Sequence, residues 1–314
     1  MNDKKLVSIA LCTFNGDAFL KQQLDSIVNQ SYPEIELIVV DDCSSDDTLN
    51  ILKEYSAKYS FIKLFINPQN LGYIRNFEKA MSLCNGDFIA LSDQDDIWDL
   101  NKIEKQVKAI GNNLLIYHDS EFVDQNGESL SLYMSDIMNL YRGDQPEVFL
   151  FFNCISGHSV LMKKELRDEL LPFPEAYFHD WWMGYVGTNL GSIDFIEESL
   201  VKYRQHQKAD TNILKRKRDN TLKNPISASI KFEQKLLWIK SCVNYPKNKN
   251  PEFIKKLYAE FKKNKEEYVS FGLLKLIYRN RDLLFIINKK NVFSKINFVL
   301  KELWGGKIRR IFSD

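Results

Sequence analysis

Short apolar runs recur along the first 120 positions and are separated by stretches with helical spacing. Val7-Ser8-Ile9-Ala10-Leu11 opens the series, and Ile35 to Val40, Ile62 to Ile66, Phe88 to Leu91 and Leu114 to Tyr117 continue it. Runs of this length, bounded by Gly, Asn, Asp or Pro, read as buried strands. Between them, Phe19, Leu20, Leu24, Ile27 and Val28 form one helical stripe, stopped by Pro33. Leu49, Leu52 and Tyr55 form another, behind the capping candidates Ser44-Ser45-Asp46-Asp47. Further helices are expected from about Ile74 to Leu83 and through Ile103 and Val107. This alternation predicts an α/β fold with a mostly parallel sheet covered by helices on both faces. Right-handed crossovers would gather the strand ends Thr13, Asp41-Asp42 and Asp93 to Asp95 on one edge. After about residue 118 the pattern loosens. Phe122 to Gly127 reads as a strand entering a turn, and mixed pieces follow to Tyr203.

Ser92-Asp93-Gln94-Asp95-Asp96-Ile97-Trp98, at the end of the fourth run, is the most informative segment. Crowded carboxylates repel one another and resist desolvation unless a cation joins them. Hard oxygen ligands suit Mg²⁺ or Mn²⁺, and ligands of parallel α/β sheets bind beyond the carboxyl ends of strands. The segment therefore points to a metal–diphosphate site. Its alternative is an acidic loop that caps the next helix near Asp99.

The 314-residue chain has a net charge of only +1, which hides a strong asymmetry. Residues 1–214 hold 18 Lys and Arg against 33 Asp and Glu, whereas residues 215–314 hold 25 against 9. We read residues 1–214 as the catalytic domain and 215–314 as a helical, basic C-terminal region. In that region Lys and Arg interleave with Phe271, Leu273, Leu274, Ile277, Phe293, Ile296, Phe298 and Trp304, behind the basic run Lys215-Arg216-Lys217-Arg218. Basic helices with a bulky apolar face can lie in a membrane interface; they can equally pack as a cap with a solvated basic face. The five cysteines form no CxxC pair and fit reduced, buried thiols. The N-terminus lacks the apolar core of a signal peptide, and no apolar run approaches the roughly 18 residues of a membrane span. A cytoplasmic protein, peripheral on the inner face of the membrane, is the expectation.

Val7 to Asn15, Val39-Val40-Asp41-Asp42-Cys43-Ser44, Asn70-Leu71-Gly72 and Asp93-Gln94-Asp95-Asp96-Ile97-Trp98 together resemble the family 2 glycosyltransferases, over roughly residues 5–207. That resemblance implies a GT-A fold and inverting sugar transfer from a nucleoside-diphosphate donor. By it, Thr13, Phe14 and Asn15, with Asp41 or Asp42, would hold the base and ribose. A carboxylate can accept the imide N–H of a pyrimidine. Gly72 would let the backbone approach the donor. Asp93 would touch the donor and, with Asp95, bind the metal. His206, in Tyr203-Arg204-Gln205-His206, would be a third ligand, and Arg204 would meet diphosphate oxygens. Phe178-His179-Asp180-Trp181-Trp182 places Asp180 at the base position, although many members read Glu-Asp where this chain has His179-Asp180. Capping of a helix starting at Trp181 is the other role open to Asp180. His179, Trp181, Trp182 and the small-residue turn at Gly157 would line the acceptor side. His118 receives no role.

The expected activity is metal-dependent transfer of a sugar onto a hydroxyl of a cell-surface glycan or lipid-linked precursor. The wording of the motifs is most similar to bacterial polysaccharide rhamnosyltransferases, so dTDP-rhamnose is the first donor expected. A nucleotidyltransferase would need a basic, Gly-rich phosphate loop that Leu11 to Gly16 lacks. A non-catalytic nucleotide-sugar-binding subunit would not need Asp93, Asp95 and Asp180 together. No GxGxxG supports a dehydrogenase, and no recognised nucleic-acid module accompanies the basic tail.

Overall fold

The structure is a computed structural model that describes residues 4–174, 178–206, 228–305 and 307. The basic run at 215–218 and the boundary at 214 lie outside the described residues. In chain order the first elements are β1 (Val7–Thr13), α1 (Asp17–Val28), β2 (Ile35–Asp41), α2 (Thr48–Lys58), β3 (Ile62–Ile66), α3 (Tyr73–Leu83) and β4 (Phe88–Ser92). They pair in parallel in the order β3-β2-β1-β4. All side chains of β1, β2 and β4 are buried or nearly so, which explains their continuous apolar runs. Register brings Thr13 opposite Asp41 and Leu11 opposite Ser92, so the expected strand ends share one edge.

The second half of the sheet is mixed. It contains β5 (Ile97–Trp98), β6 (Leu115–Val123), β7 (Ser129–Tyr133), β8 (Leu161–Lys163) and β9 (Ile193–Arg204). β8 is antiparallel to β4 and β6, β9 is parallel to β6, and β5 closes the edge against β9. The strands expected at Leu114 to Tyr117 and at the start of Phe122 to Gly127 are one strand, β6, ending at Val123. Register shifts on both sides of Asp119 let β6 bend, and the buried Asp119 carboxylate accepts from the Ser120 and Ser135 N–H groups and the Ser135 hydroxyl. The bend breaks the two-residue alternation that a sequence reading relies on. The helices here are α4 (Lys102–Ala109), α5 (Met134–Ile137), α6 (Lys164–Leu170) and α7 (His179–Leu190).

Among the described residues, five more helices follow: α8 (Ala228–Asn244), α9 (Pro251–Glu266), α10 (Phe271–Arg279), α11 (Arg281–Leu284) and α12 (Val292–Leu303). Their apolar residues merge with one face of the sheet. Trp238, Ile239, Phe261 and Ile277 share a core cluster with Trp182, Tyr185 and Phe149, while Leu20, Leu24, Ile51 and Ile103 fill the opposite face. The C-terminal helices thus cap the sheet domain. Among the described residues, no helix is long and apolar enough to cross a membrane.

Candidate active site

The turn after β1 is tied to the turn after β2. Thr13 donates its hydroxyl to Asp41 Oδ1 (2.8 Å), Asn15 N donates to Ser44 Oγ (2.9 Å), and Asn15 Oδ1 accepts from Ser45 N (2.8 Å). Asn15 and Cys43 both hold left-handed backbone, at φ 48° and 66°, a strained conformation for residues with a Cβ. Phe14 projects half-exposed from this rim. Asp41 and Asp42 are both buried, and their partners differ. Asp41 fastens Thr13 and Ser44, whereas Asp42 accepts from Asn67, Leu71 N and Gly72 N. Asp42 thereby shapes the Asn70-Leu71-Gly72 loop. Gly72 has φ +80°, and a Cβ there would point into open space. Backbone at Gly72 is therefore bare and approachable.

The acidic loop after β4 is built around buried groups. Gln94 holds both ends of the Phe14 unit, accepting from Phe14 N at 2.8 Å and donating to Phe14 O at 3.0 Å. A Cβ on Gly16 would lie 2.2 Å from the Gln94 amide, so a larger residue there would displace the Gln94 side chain from Phe14. Asp95 Oδ2 and His206 Nε2 lie 2.7 Å apart. Asp96 points inward, fully buried, and accepts from Arg204 N with one oxygen while the other has no protein hydrogen-bond partner. Burial, with Asp95 and Asp93 nearby, pushes its pKa well above the usual carboxylate range.

Three donor atoms that could share an ion lie within 4.8 Å of one another, on Asp93, Asp96 and His158. Asp93, Asp95 and His206 were the expected set. His158 and Asp96 were missed because their inward orientation depends on residues distant in sequence, Tyr203 and Ser120 for His158 and Arg204 for Asp96. His158 packs 4.4 Å from the Tyr203 ring, with Nε2 at 2.9 Å from Ser120 Oγ and Nδ1 at 3.5 Å from Asp96 and 3.8 Å from Asp93. Desolvation, and then Lys102, lower its pKa to about 3, so the imidazole is neutral and able to ligate. The Lys102 ammonium is itself buried over the Trp98 ring, 3.2 Å from its centroid. Burial drives its pKa down against the pull of Asp96 and Asp93. The carboxylate–imidazole donor set suits Mn²⁺ or Mg²⁺. The orphaned buried oxygen of Asp96 also agrees with a cation at this loop.

Arg204 corrects an expectation. It is almost wholly buried, and its guanidinium donates to Asp95 O, Asp124 O, Gln125 O and Gln22 Oε1. Its fork is committed to fixing the acidic loop and the β6–β7 turn, not to diphosphate oxygens.

Asp180 stands in the first turn of α7, which begins at His179 with Phe178 as N-cap, two residues earlier than expected. Its carboxylate accepts from Trp181 N at 2.7 Å. A helix N-terminus favours the anion, but desolvation outweighs it and raises the pKa to about 7. His179 is buried against Phe77 (4.8 Å) and Phe173 (5.7 Å), and burial lowers its pKa to about 4. Its Nε2 would lie 3.0 Å from a Cβ on Gly157, so Gly157 and His179 are direct neighbours. Trp182 departs from the expected acceptor-side position, and Trp181 is tied to the core by its indole N–H. Trp182 is buried, Trp181 Nε1 donates to Phe149 O, Trp182 Nε1 donates to Leu170 O, and both rings pack on Trp238. Both join the sheet domain to its helical cap, and Trp181 stays partly exposed. The aromatic pair exposed beside Asp180 is instead Tyr73 and Phe178, with rings stacked at 6.4 Å.

These contacts close a circuit. Gly72 is bonded to Asp42, the backbone of Asp42 to Thr13, Phe14 to Gln94, Asp95 to His206, Asp93 and Asp96 face His158, Gly157 meets His179, and His179 lies 6.1 Å from Tyr73 beside Gly72. Against known sequences, the profile described as "Glycosyl transferase family 2" matches residues 8–171. The chain belongs to glycosyl transferase family 2. As a member it is a nucleotide-sugar-dependent glycosyltransferase. An uncharacterized glycosyltransferase of Haemophilus influenzae is 25% identical over 320 residues, spanning 94% of this chain and 97% of the relative. A dTDP-rhamnosyl transferase of Shigella flexneri, RfbG, is 28% identical over 214 residues, spanning 64% of this chain and 72% of its own. Two solved structures share the fold. TarS 1-349 of S. aureus with UDP-GlcNAc superposes at TM-score 0.60 with 15% identity, over 95% of this chain and 81% of that one. The mannosyltransferase PcManGT of Pyrobaculum calidifontis, with GDP-Man and Mn²⁺, gives 0.54 and 14%, over 99% and 84%.

Proposed function

We propose that this family 2 enzyme transfers a sugar, with inversion, from a nucleoside diphosphate to a hydroxyl of a cell-surface glycan or its lipid-linked precursor. The observation that carries this reading is the closed circuit linking Asp93 and Asp96 to Asp180 through His158, Gly157 and His179, with Asp95 paired to His206 beside it. The rim formed by Thr13, Phe14 and Asn15, with Asp41 or Asp42 beneath it, would seat the nucleoside, and the bare backbone at Gly72 would pass along the donor. Asp93, Asp95 and His206, all partly buried with Asp93 the most exposed, would hold the ion toward the diphosphate. Asp96 and His158 would support them from behind. The chemistry a divalent ion would supply there is neutralisation of charge on the departing diphosphate.

Asp180 would take the proton of the acceptor hydroxyl as its oxygen attacks the anomeric carbon opposite the leaving group. A pKa near 7 suits that task, since enough carboxylate is present and it remains basic. Tyr73 and Phe178 would receive the acceptor ring in place of the two tryptophans, because sugar C–H faces pack on aromatic surfaces. Rhamnose from dTDP is the first donor to try, supported by the motif wording and by the named activity of the Shigella relative. The test is the anomeric configuration of the product, read by NMR. Inversion relative to the donor supports the reading, and retention contradicts it.

A further inference from the structure

The helical cap carries a surface that sugar transfer does not use. On α12, Val292, Ile296 and Leu300 recur at four-residue spacing on one exposed stripe, with Phe293 beside them. On α10, Phe271 and Tyr278 are exposed seven residues apart, with half-buried Leu274 between them. The two stripes meet. An apolar groove of about 260 Å³ is lined by Leu274, Tyr278, Ile296, Val299 and Leu300, from both helices. Backbone pairing of Val269 with Trp304 fixes the start of α10 against the end of α12. Phe271 is 71% and Phe293 79% exposed, which is far more than a folded core leaves open for phenylalanine.

Charge says what covers this face. Residues 268–307 hold eight Lys and Arg against two acidic residues, and one of those two, Glu302, is buried and paired with Lys235. Lys275, Arg279, Lys289, Lys290 and Lys301 are exposed around the apolar stripes. A second copy docking by the same face would bring the same positive field and be repelled. The acidic body, with its 33 carboxylates before residue 215, would be repelled by the same anionic surface that attracts the cap, so the molecule has a preferred orientation.

We propose that the α10–α12 face docks on an anionic phospholipid surface, with Phe271, Val292, Phe293, Ile296 and Leu300 entering the interface and the surrounding Lys and Arg meeting lipid phosphates. The proposal does not depend on which sugar is transferred. Basic amphipathic helices bind such surfaces by apolar burial plus attraction to anionic headgroups.

Flotation of the full chain with vesicles tests it, using phosphatidylcholine alone and phosphatidylcholine with phosphatidylglycerol. The wild type should float with the anionic vesicles at least about tenfold better than with neutral ones, and salt should weaken the binding. Phe271→Ser with Phe293→Ser, and separately Lys275→Glu with Arg279→Glu, should each lower binding at least about tenfold. Circular dichroism and nucleotide-sugar binding should stay unchanged in both variants. No flotation by the wild type, or equal flotation by the Phe variant, overturns the proposal. A dimer in sedimentation that Phe271→Ser with Phe293→Ser dissolves, without vesicle binding, overturns it in favour of a second copy. Lost donor binding with intact flotation would count against the site and not against this face.

Discussion

Gln94 grips the backbone of Phe14 from both sides, with N–H to Oε1 at 2.8 Å and Nε2 to C=O at 3.0 Å. The acidic loop and the nucleoside rim are therefore one unit. Gln94→Ala should loosen both, weakening donor binding about tenfold while leaving the fold intact. Gln94→Glu should do the same, because a carboxylate cannot donate to the Phe14 carbonyl. Calorimetric titration with nucleoside diphosphate and Mn²⁺ measures this. Wild-type affinity in both variants would show that the grip is incidental.

Asp180 yields a pH prediction. With its pKa near 7, kcat/KM should fall about tenfold per unit below pH 7 as the base protonates, and Asp180→Asn should remove that limb with at least about a hundredfold loss of activity. Stability should move the other way. The folded pKa exceeds the unfolded value, so the native state holds its proton more tightly. Asp180 then costs stability progressively from about pH 4 to pH 7. Asp180→Asn should raise the Tm at pH 8 and leave it nearly unchanged at pH 3.5. A flat pH profile together with an unchanged Tm would contradict this.

Arg204 separates a positioning role from direct contact. Its buried guanidinium satisfies three carbonyls and Gln22, so Arg204→Met should destabilise the fold by about 3 kcal/mol in urea titration. Unchanged stability with lost diphosphate affinity would restore the contact first expected.

Much of this was legible in the sequence. The β1–β4 runs were readable because those strands are buried on both faces, and parallel connections then fix which ends meet at Thr13, Asp41 and Asp93. Orientation was less legible. Trp181 and Trp182 follow Asp180 directly, yet a helix turns successive side chains by about a quarter turn or more. Whether they face a sugar or Trp238 depends on a cap helix some fifty residues away. Arg204 reads as a phosphate ligand until its four acceptors are seen, and His158 matters only because β8 follows a turn that brings it beneath Asp96. Asp96 looked like one more member of an acidic run, and only its burial sets it apart.

Tyr73 and Phe178 should govern the acceptor and not the donor. Tyr73→Ala and Phe178→Ala should each raise the acceptor KM about five- to tenfold, with donor KM and slow donor hydrolysis unchanged, since an aromatic contact contributes about 1 kcal/mol. Steady-state kinetics with each substrate varied separately checks this. An effect confined to the donor KM would place the acceptor elsewhere.

The central claim is a metal-assisted nucleotide-sugar site at the Asp93–Asp96 loop. The most direct test is binding of a nucleotide-sugar panel, dTDP-rhamnose, UDP-GlcNAc and GDP-mannose among them, to wild type and Asp95→Ala, with Mn²⁺ or Mg²⁺ and with chelator. The account predicts that one donor binds tightly, that chelator weakens it at least about tenfold, and that Asp95→Ala removes the metal dependence. Binding that ignores both chelator and Asp95→Ala, or no binding by any donor to a folded sample, would contradict it.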